Sequence, residues 1–243
     1  RPYVQKIMVI DDLANRKHDC DILLDQNEYC NKDKRYEYLV PQHCRLLLGP
    51  QYAILREEFY EARKKMRVRD GKINNILVFF GGSDISNETM KALQAISMLE
   101  RNDIKVNVIV GKSNPNQKEI EKFCYKNNNM YYFCQVDNIA EFMNEADLAI
   151  GAGGITTWER CFLALPSIVI SVADNQEKIL KYIHKEFSII NYIGKYNSTT
   201  VENIKKYLIM HLNNHAFLIN MKKACIKFYE GGVKNDLYIS IFK

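Results

Sequence analysis

The chain has 243 residues, 47% hydrophobic and 26% charged, with a formal net charge of +5. That length holds one large domain or two moderate ones, and the composition excludes a disordered or fibrous chain. No stretch approaches the ~18 uninterrupted apolar residues of a membrane span. Arg1-Pro2-Tyr3 leads straight into a strand-like segment, so no secretory leader is expected. The seven cysteines (Cys20, Cys30, Cys44, Cys124, Cys134, Cys161, Cys225) include no C-x-x-C pair, which favours reduced thiols in a cytoplasmic protein over a disulfide framework or a zinc site. Much of the positive excess lies in Arg63-Lys-Lys-Met-Arg-Val-Arg69. Without interleaved aromatics that run reads as a solvated helix end and linker, not as a nucleic-acid surface.

In chain order, 6–10, 21–25 and 44–48 are nearly continuous apolar runs, as buried parallel strands tend to be. The connections between them are short and polar, whereas parallel strands need crossovers of a dozen or more residues. Residues 1–54 are therefore expected to be the end of an N-terminal domain whose beginning is absent, and that missing segment would be needed to complete it. Leu55, Phe59, Ala62 and Met66 share one helical face, and polar Arg69–Asn75 follows, so 55–75 reads as an interdomain helix and linker.

From 76 to 243 the chain reads as one Rossmann-like domain with C-terminal helices. Strand 76–80 leads to Gly81-Gly82-Ser83-Asp84, then a helix over 87–100 with Met90, Leu93, Ile96 and Leu99 as its buried stripe. Strand 104–110, helix 118–124, strand 130–134, a short helix 139–143 and strand 148–150 follow. A helix begins near Ile155, Leu165-Pro166 breaks the chain, and 167–171 is a further strand. A helix runs from Asp174 towards His184, 188–191 adds an edge strand, and helices near 201–212 and 217–229 close the chain. Strands alternating with helices predict an open parallel sheet covered on both faces.

The stretch that organises this domain is Asp147-Leu-Ala-Ile-Gly-Ala-Gly-Gly-Ile-Thr-Thr-Trp-Glu-Arg160, read as strand, glycine turn and helix. Glycines permit a tight turn and close approach of a ligand, and a helix start offers free N–H donors to a phosphate. Glu159, one turn after Ile155, suits a sugar diol, which presents two hydroxyl donors to two carboxylate oxygens. The plainer alternative is a tight turn with Glu159 complementing the helix dipole. In open parallel sheets ligands lie beyond the carboxyl ends of the strands, so Gly81–Asp84, Gly151–Thr156 and Asp174-Asn175-Gln176 are the candidate loops for a nucleotide diphosphate.

Other chemistries are weaker. Gly151-x-Gly153-x-x-Thr156, with Asp174 further on, approaches the dinucleotide fingerprint but lacks its third glycine and follows a late strand. His211 and His215 have i, i+4 spacing without an H-E-x-x-H motif, and His18 with Cys20 and His43 with Cys44 lack a second pair at zinc spacing. No metal site is expected. There is no G-x-S-x-G elbow. Asp11-Asp12, ending a strand, either share a proton or cap a turn; the turn is the favoured reading.

Taken together, 10–27, Gly49-Pro-Gln-Tyr-Ala-Ile-Leu-Arg-Glu-Glu-Phe59, Gly81-Gly-Ser-Asp84, Gly151–Glu159 and Asn175-Gln176 resemble the nucleotide-sugar hydrolases of pseudaminic acid biosynthesis. The similarity runs from Lys6 to about Asn191. It implies an α/β architecture of two Rossmann-like domains of glycosyltransferase-B type, related to the transferase that makes lipid II, the first domain truncated at its N-terminus. It implies a UDP-sugar substrate and no metal or organic cofactor. The implied reaction removes UDP from UDP-2,4-diacetamido-2,4,6-trideoxy-β-L-altropyranose by water attack at the anomeric carbon, with inversion; a transferase of the same fold and a UDP-sugar-binding fragment without catalysis are the alternatives. Carried over by position, Gly82, Ser83, Gly154, Ile155 and Thr156 would line the diphosphate, Glu159 would take the ribose and the backbone at Val136 the uracil. Asn175, Gln176, Asp12 and Tyr52 would lie on the sugar or phosphate side. The family's catalytic histidine sits in a Gly-x-Gly-His loop that this sequence lacks, and none of His18, His43, His184, His211 or His215 inherits the role. The chain is therefore expected to bind UDP and to hydrolyse poorly unless that segment is supplied.

Overall fold

The computed structural model describes residues 3–233. The chain divides between Leu55 and Arg56 and again after Phe228, giving two compact units. In the first, β1 (Met8–Ile10), β2 (Ile22–Asp25) and β3 (Arg45–Leu48) form a parallel sheet in the order β1-β2-β3. Leu23 and Leu24 are fully buried on its two faces, in separate clusters with Tyr36 and with Leu47. That double-sided burial is why β2 has no apolar–polar alternation. Asp11 ends β1 by accepting the amides of Leu13 (3.4 Å) and Ala14 (3.0 Å), so the turn reading holds. Burial raises its pKa, but these amides and His18, 3.4 Å away, outweigh that and hold the carboxyl below its ordinary range.

The second unit, Arg56–Phe228, opens with α1 (Glu57–Lys64) and then alternates strand and helix. The strands are β4 (Asn75–Phe79), β5 (Lys105–Val110), β6 (Met130–Cys134), β7 (Leu148–Ala152), β8 (Ser167–Ser171) and β9 (Asn191–Lys195). The helices are α2 (Glu88–Ser97), α3 (Gln117–Tyr125), α4 (Ile139–Glu145), α5 (Thr156–Phe162), α6 (Asp174–Phe187), α7 (Val201–Leu212) and α8 (His215–Phe228). All six strands are parallel, in the order β6-β5-β4-β7-β8-β9. The order grows outward from β4 in one direction and from β7 in the other, so β4 and β7 flank a topological switch point. Ile76, Val78, Val108, Leu148, Ile150 and Ile168 of the strands pack with Leu93, Ile120 and Leu208 of the helices in one core.

Local chemistry explains the helix starts. The Asp84 carboxylate accepts the amides of Glu88 and Thr89, each at 2.9 Å, and so caps α2. Thr200 and Asn203 exchange side-chain and backbone bonds in a capping box at α7.

The last strand differs from expectation. It spans Asn191–Lys195, not 188–191, because Ser188 takes a left-handed conformation that closes α6 and Ile189 and Ile190 pack inward. Gly194, at φ +133°, accommodates a register shift against β8. His211 ends α7 while His215 starts α8, so the two do not share a helix.

Lys64, Lys65 and Val68 of the basic run are exposed, as expected of a solvated helix end, but its arginines find partners in the fold. Arg69 is only 4% exposed, and its guanidinium donates to the carbonyls of Met143, Asn144, Ala146, Leu163 and Ala164. Burial lowers its pKa to about 10. Arg67 binds the Asp147 carboxylate, whose other oxygen accepts the amides of Asn74 (2.8 Å) and Asn75 (2.9 Å). Arg63 stacks over the Phe162 ring at 4.4 Å. Residues 56–75 are thus fastened to α4, β7 and α5.

Candidate functional site

A cavity of about 230 Å³ lies at the carboxyl ends of the central strands of the second unit. Phe79 at the end of β4 and Gly82 after it, and Ile155, Thr156 and Glu159 after β7, form its walls on either side of the switch point. Gly111 after β5 and Gln135, Val136 and Ile139 after β6 extend it, and Arg56 supplies a cation from the residue preceding α1. An engineered apolar cavity of roughly 150 Å³ holds benzene, so this space suits one ring-sized group with the rest of a ligand reaching outward.

The turn between β7 and α5 is built by its glycines in unequal ways. A Cβ on Gly151 would stand 2.3 Å from the Phe79 carbonyl oxygen, and one on Gly153 would stand 2.1 Å from Leu180 Cδ1. Both positions are demanded by packing. At Gly154 the nearest atom is Gln176 Nε2 at 3.7 Å, ordinary contact distance, so only here does the missing side chain leave space. The loops after β4 and β5 also meet backbone to backbone: a Cβ on Gly111 would lie 2.2 Å from the Gly82 carbonyl oxygen.

Glu159 is 8% exposed and lines the cavity, one helical turn after Ile155. Burial raises its pKa above the ordinary value, opposed by the positive charges of Arg56 and Arg160 and reinforced by Glu58. Arg56 is held by Glu58 Oε1 at 2.7 Å, while Glu58 Oε2 accepts the Ala140 amide at 3.0 Å, which ties α1 to the start of α4. Arg160 is buried beneath the turn and donates to the Ala152 carbonyl (2.8 Å) and to Thr156 Oγ1 (3.0 Å). With only seven residues, α5 has a small macrodipole; local positive charge comes mainly from these two arginines.

Of the residues expected to line a diphosphate, ribose and uracil, the structure brings Gly82, Val136, Ile155, Thr156 and Glu159 to one cavity, with Gly154 in the adjoining turn. Ser83 is exposed and lies outside the lining, next to Gly82. Gln176 reaches the turn from the first turn of α6; its Oε1 accepts the Val172 amide at 2.9 Å, while Asn175 is exposed beside it. Asp174, required by a dinucleotide reading, lies in the first turn of α6 with its carboxylate 2.6 Å from Lys195 Nζ. Asp12 and Tyr52 belong to the first unit, where Asp12 is exposed with its carbonyl accepting from Arg35 at 2.7 Å, and Tyr52 packs on the β2–β3 cluster. Among the described residues no cluster of three or more His, Cys, Asp or Glu side chains could hold a metal ion, and no helix is long and apolar enough to cross a membrane.

Arg56, Gln135 and Arg160 were not singled out from sequence. Arg56 stood inside a quoted motif without a role. Gln135 has a positive φ of 55° that nothing in Cys-Gln-Val signals. Arg160 closed the quoted glycine stretch without a role.

The cavity thus lies at the switch point of a parallel sheet, where open α/β folds take their ligands, with a buried carboxylate and two arginines beside it. Residues 75–235 match the Glycosyltransferase family 28 C-terminal domain, and the chain belongs to that family. The fold is of glycosyltransferase-B kind: a glycosyltransferase from Rickettsia africae ESF-5 superposes with a TM-score of 0.57, covering 91% of this chain and 62% of that one at 11% identity. Among curated relatives, the chain is 35% identical over 187 residues to the UDP-2,4-diacetamido-2,4,6-trideoxy-beta-L-altropyranose hydrolase of Campylobacter jejuni, which bears out the resemblance read from the motifs. That alignment covers 77% of this chain and 65% of the hydrolase. The chain is also 30% identical over 150 residues to the Bacillus subtilis spore coat polysaccharide biosynthesis protein SpsG, covering 61% of this chain and 44% of that protein. The matched region is therefore less than two thirds of each relative's length.

Proposed function

We propose that the second unit binds the UDP moiety of a nucleotide sugar, and that the whole protein hydrolyses a UDP-linked diacetamido-trideoxy sugar to UDP and free sugar. The observation that carries this reading is Glu159: a nearly buried carboxylate facing a cavity, one turn from Thr156 and in the field of Arg56. In this assignment Glu159 accepts both ribose hydroxyls, the main chain at Val136 meets the uracil, and Gly82, Ser83, Gly154, Ile155 and Thr156 surround the diphosphate. Asn175 and Gln176 lie towards the phosphate or sugar, and Asp12 and Tyr52 are proposed for the sugar side. Arg56 offsets the diphosphate charge, and N–H and O–H donors of the turn stabilise negative charge as the leaving group departs. Water attacks the anomeric carbon, the C–O bond to the β-phosphate breaks, and configuration inverts. The similarity to the Campylobacter hydrolase supports this over transfer to an acceptor, while the family itself is named for transferases and keeps that second reading open to test.

Titration calorimetry with UDP, CMP, ADP and NAD tests the site, with Glu159→Ala as the variant. UDP is expected to bind, and Glu159→Ala to weaken UDP while leaving inorganic pyrophosphate unaffected. Binding of NAD but not UDP, or equal losses for UDP and pyrophosphate, overturns the assignment. Incubating the full-length protein with a UDP-sugar in H₂¹⁸O separates the activities: label enters the free sugar on hydrolysis, and no free labelled sugar forms in a transferase.

A further inference from the structure

Arg160 is buried beyond the needs of the helix it sits on. Its guanidinium bridges the two ends of the β7–α5 turn: Nη2 donates to the Ala152 carbonyl at 2.8 Å and Nη1 to Thr156 Oγ1 at 3.0 Å, with Thr157 Oγ1 at 3.3 Å from Nη2. Gly151 makes room for it, since a Cβ there would stand 2.9 Å from Nη1. The side chain is almost wholly enclosed, no carboxylate among the described residues is hydrogen-bonded to it, and its Nε has no partner. An enclosed cation without a bonded counter-charge costs stability, and a turn of this shape needs only an apolar filler beneath it. The geometry gives the charge a use. A guanidinium only donates, whereas a hydroxyl has one proton and two lone pairs. Arg160 therefore occupies a lone pair of Thr156 Oγ1 and cannot receive its proton, and Thr156 lines the cavity.

We infer that Arg160 is a positioning residue: it fixes the Thr156 hydroxyl as a donor towards the cavity and holds the Gly153–Ile155 turn in the shape that receives a phosphoryl group. This rests on the diphosphate site proposed above. Arg160 touches no ligand and acts through Thr156.

The test is a double-mutant cycle read with two ligands, UDP and uridine, which differ only in the diphosphate. Thr156→Val removes the hydroxyl at constant shape and is expected to lower UDP affinity about tenfold, the worth of one charge-assisted bond, with uridine affinity unchanged. Arg160→Lys keeps the charge but cannot bridge both acceptors, and is expected to lower UDP affinity by a similar factor. In the Thr156→Val background, Arg160→Lys should then cost less than threefold. Thr157→Val, which leaves the Arg160–Thr156 contact in place, should leave UDP affinity unchanged. Additive losses, equal losses for UDP and uridine, or a Thr157→Val effect as large as that of Thr156→Val would each overturn the inference while leaving the UDP site standing. If Arg160→Lys does not fold, Arg160→Gln takes its place in the cycle, with the same expected and overturning outcomes. Failure of the unsubstituted protein to bind UDP removes the site and this inference with it.

Discussion

Alanine placed in turn at Gly151, Gly153 and Gly154 separates packing from ligand space within one turn. At Gly153 the new methyl would lie 2.1 Å from Leu180 Cδ1 and 2.9 Å from Cδ2 and Cγ, and Leu180 is 1% exposed, so it has little room to yield. Overpacking of this kind costs ~1–3 kcal/mol, and the reduced freedom of the unfolded chain returns ~0.4–1 kcal/mol, leaving a net loss of about 1–2 kcal/mol. At Gly151 the obstacle is the Phe79 carbonyl oxygen of the neighbouring strand at 2.3 Å. Main chain cannot rotate aside, so the loss there is expected at about 3 kcal/mol. At Gly154 only the unfolded-chain term remains, and the variant is expected to gain ~0.4–1 kcal/mol. Urea unfolding followed by fluorescence of Trp158, the single tryptophan and 2% exposed, reads all three in the second unit. Leu180→Ala alone should cost ~2–5 kcal/mol. Combined with Gly153→Ala it should cost less than the sum, by ~0.5–3 kcal/mol, because the new methyl enters the vacated space. Strict additivity of that pair, or equal losses at the three glycines, would refute the reasoning.

Three further outcomes follow from the same geometry. Because burial raises the Glu159 pKa and a diol needs the ionised carboxylate as acceptor, UDP affinity should fall as pH drops towards that raised value. Glu159→Gln should bind more weakly at pH 7.5 and lose this dependence; calorimetry across pH 5–7.5 checks it at roughly half-unit steps. His211 is fully buried with Nδ1 2.6 Å from the Tyr207 carbonyl oxygen, and burial holds its pKa below the ordinary value. The unfolded chain then takes up a proton near pH ~6.5 before the native state does, so this contribution is present above that pH and lost as pH falls towards the lower folded value. His211→Gln should flatten that part of the stability–pH curve. Arg69→Met should strand the five carbonyls it serves and lower stability by about 3 kcal/mol or more, measured by the same urea assay.

Much of this was legible before any coordinates. The alternation of apolar runs with amphipathic segments from 76 onward placed every strand but the last, because buried parallel strands and their covering helices leave strong, different periods. The loops after β4 and β7 announced themselves through glycine. What the residue pattern does not carry is strand order. Only the neighbouring of β4 and β7 makes their loops two walls of one cavity, and it places the start of α6 after β8, with Asn175 and Gln176, to one side. The basic run shows a second limit. A guanidinium serving main-chain carbonyls has no partner that a sequence can display, so Arg67 and Arg69 read as solvated charges when they are clasps. Gly151 and Gly153 show a third, since glycine for close packing and glycine for ligand room look alike until the neighbours are known.

Those clasps bear on where the second unit can be excised. The family match starts at residue 75, but a recombinant piece cut there would lose Arg56 from the cavity wall and the arginines that bind Asp147 and the carbonyls around Ala146 and Leu163. Asp147 would lose both its cation and the Asn74 amide, and the carbonyls at the ends of α4 and α5 that Arg69 serves would lose their donor. The natural severing point is one full helix earlier, just before Arg56.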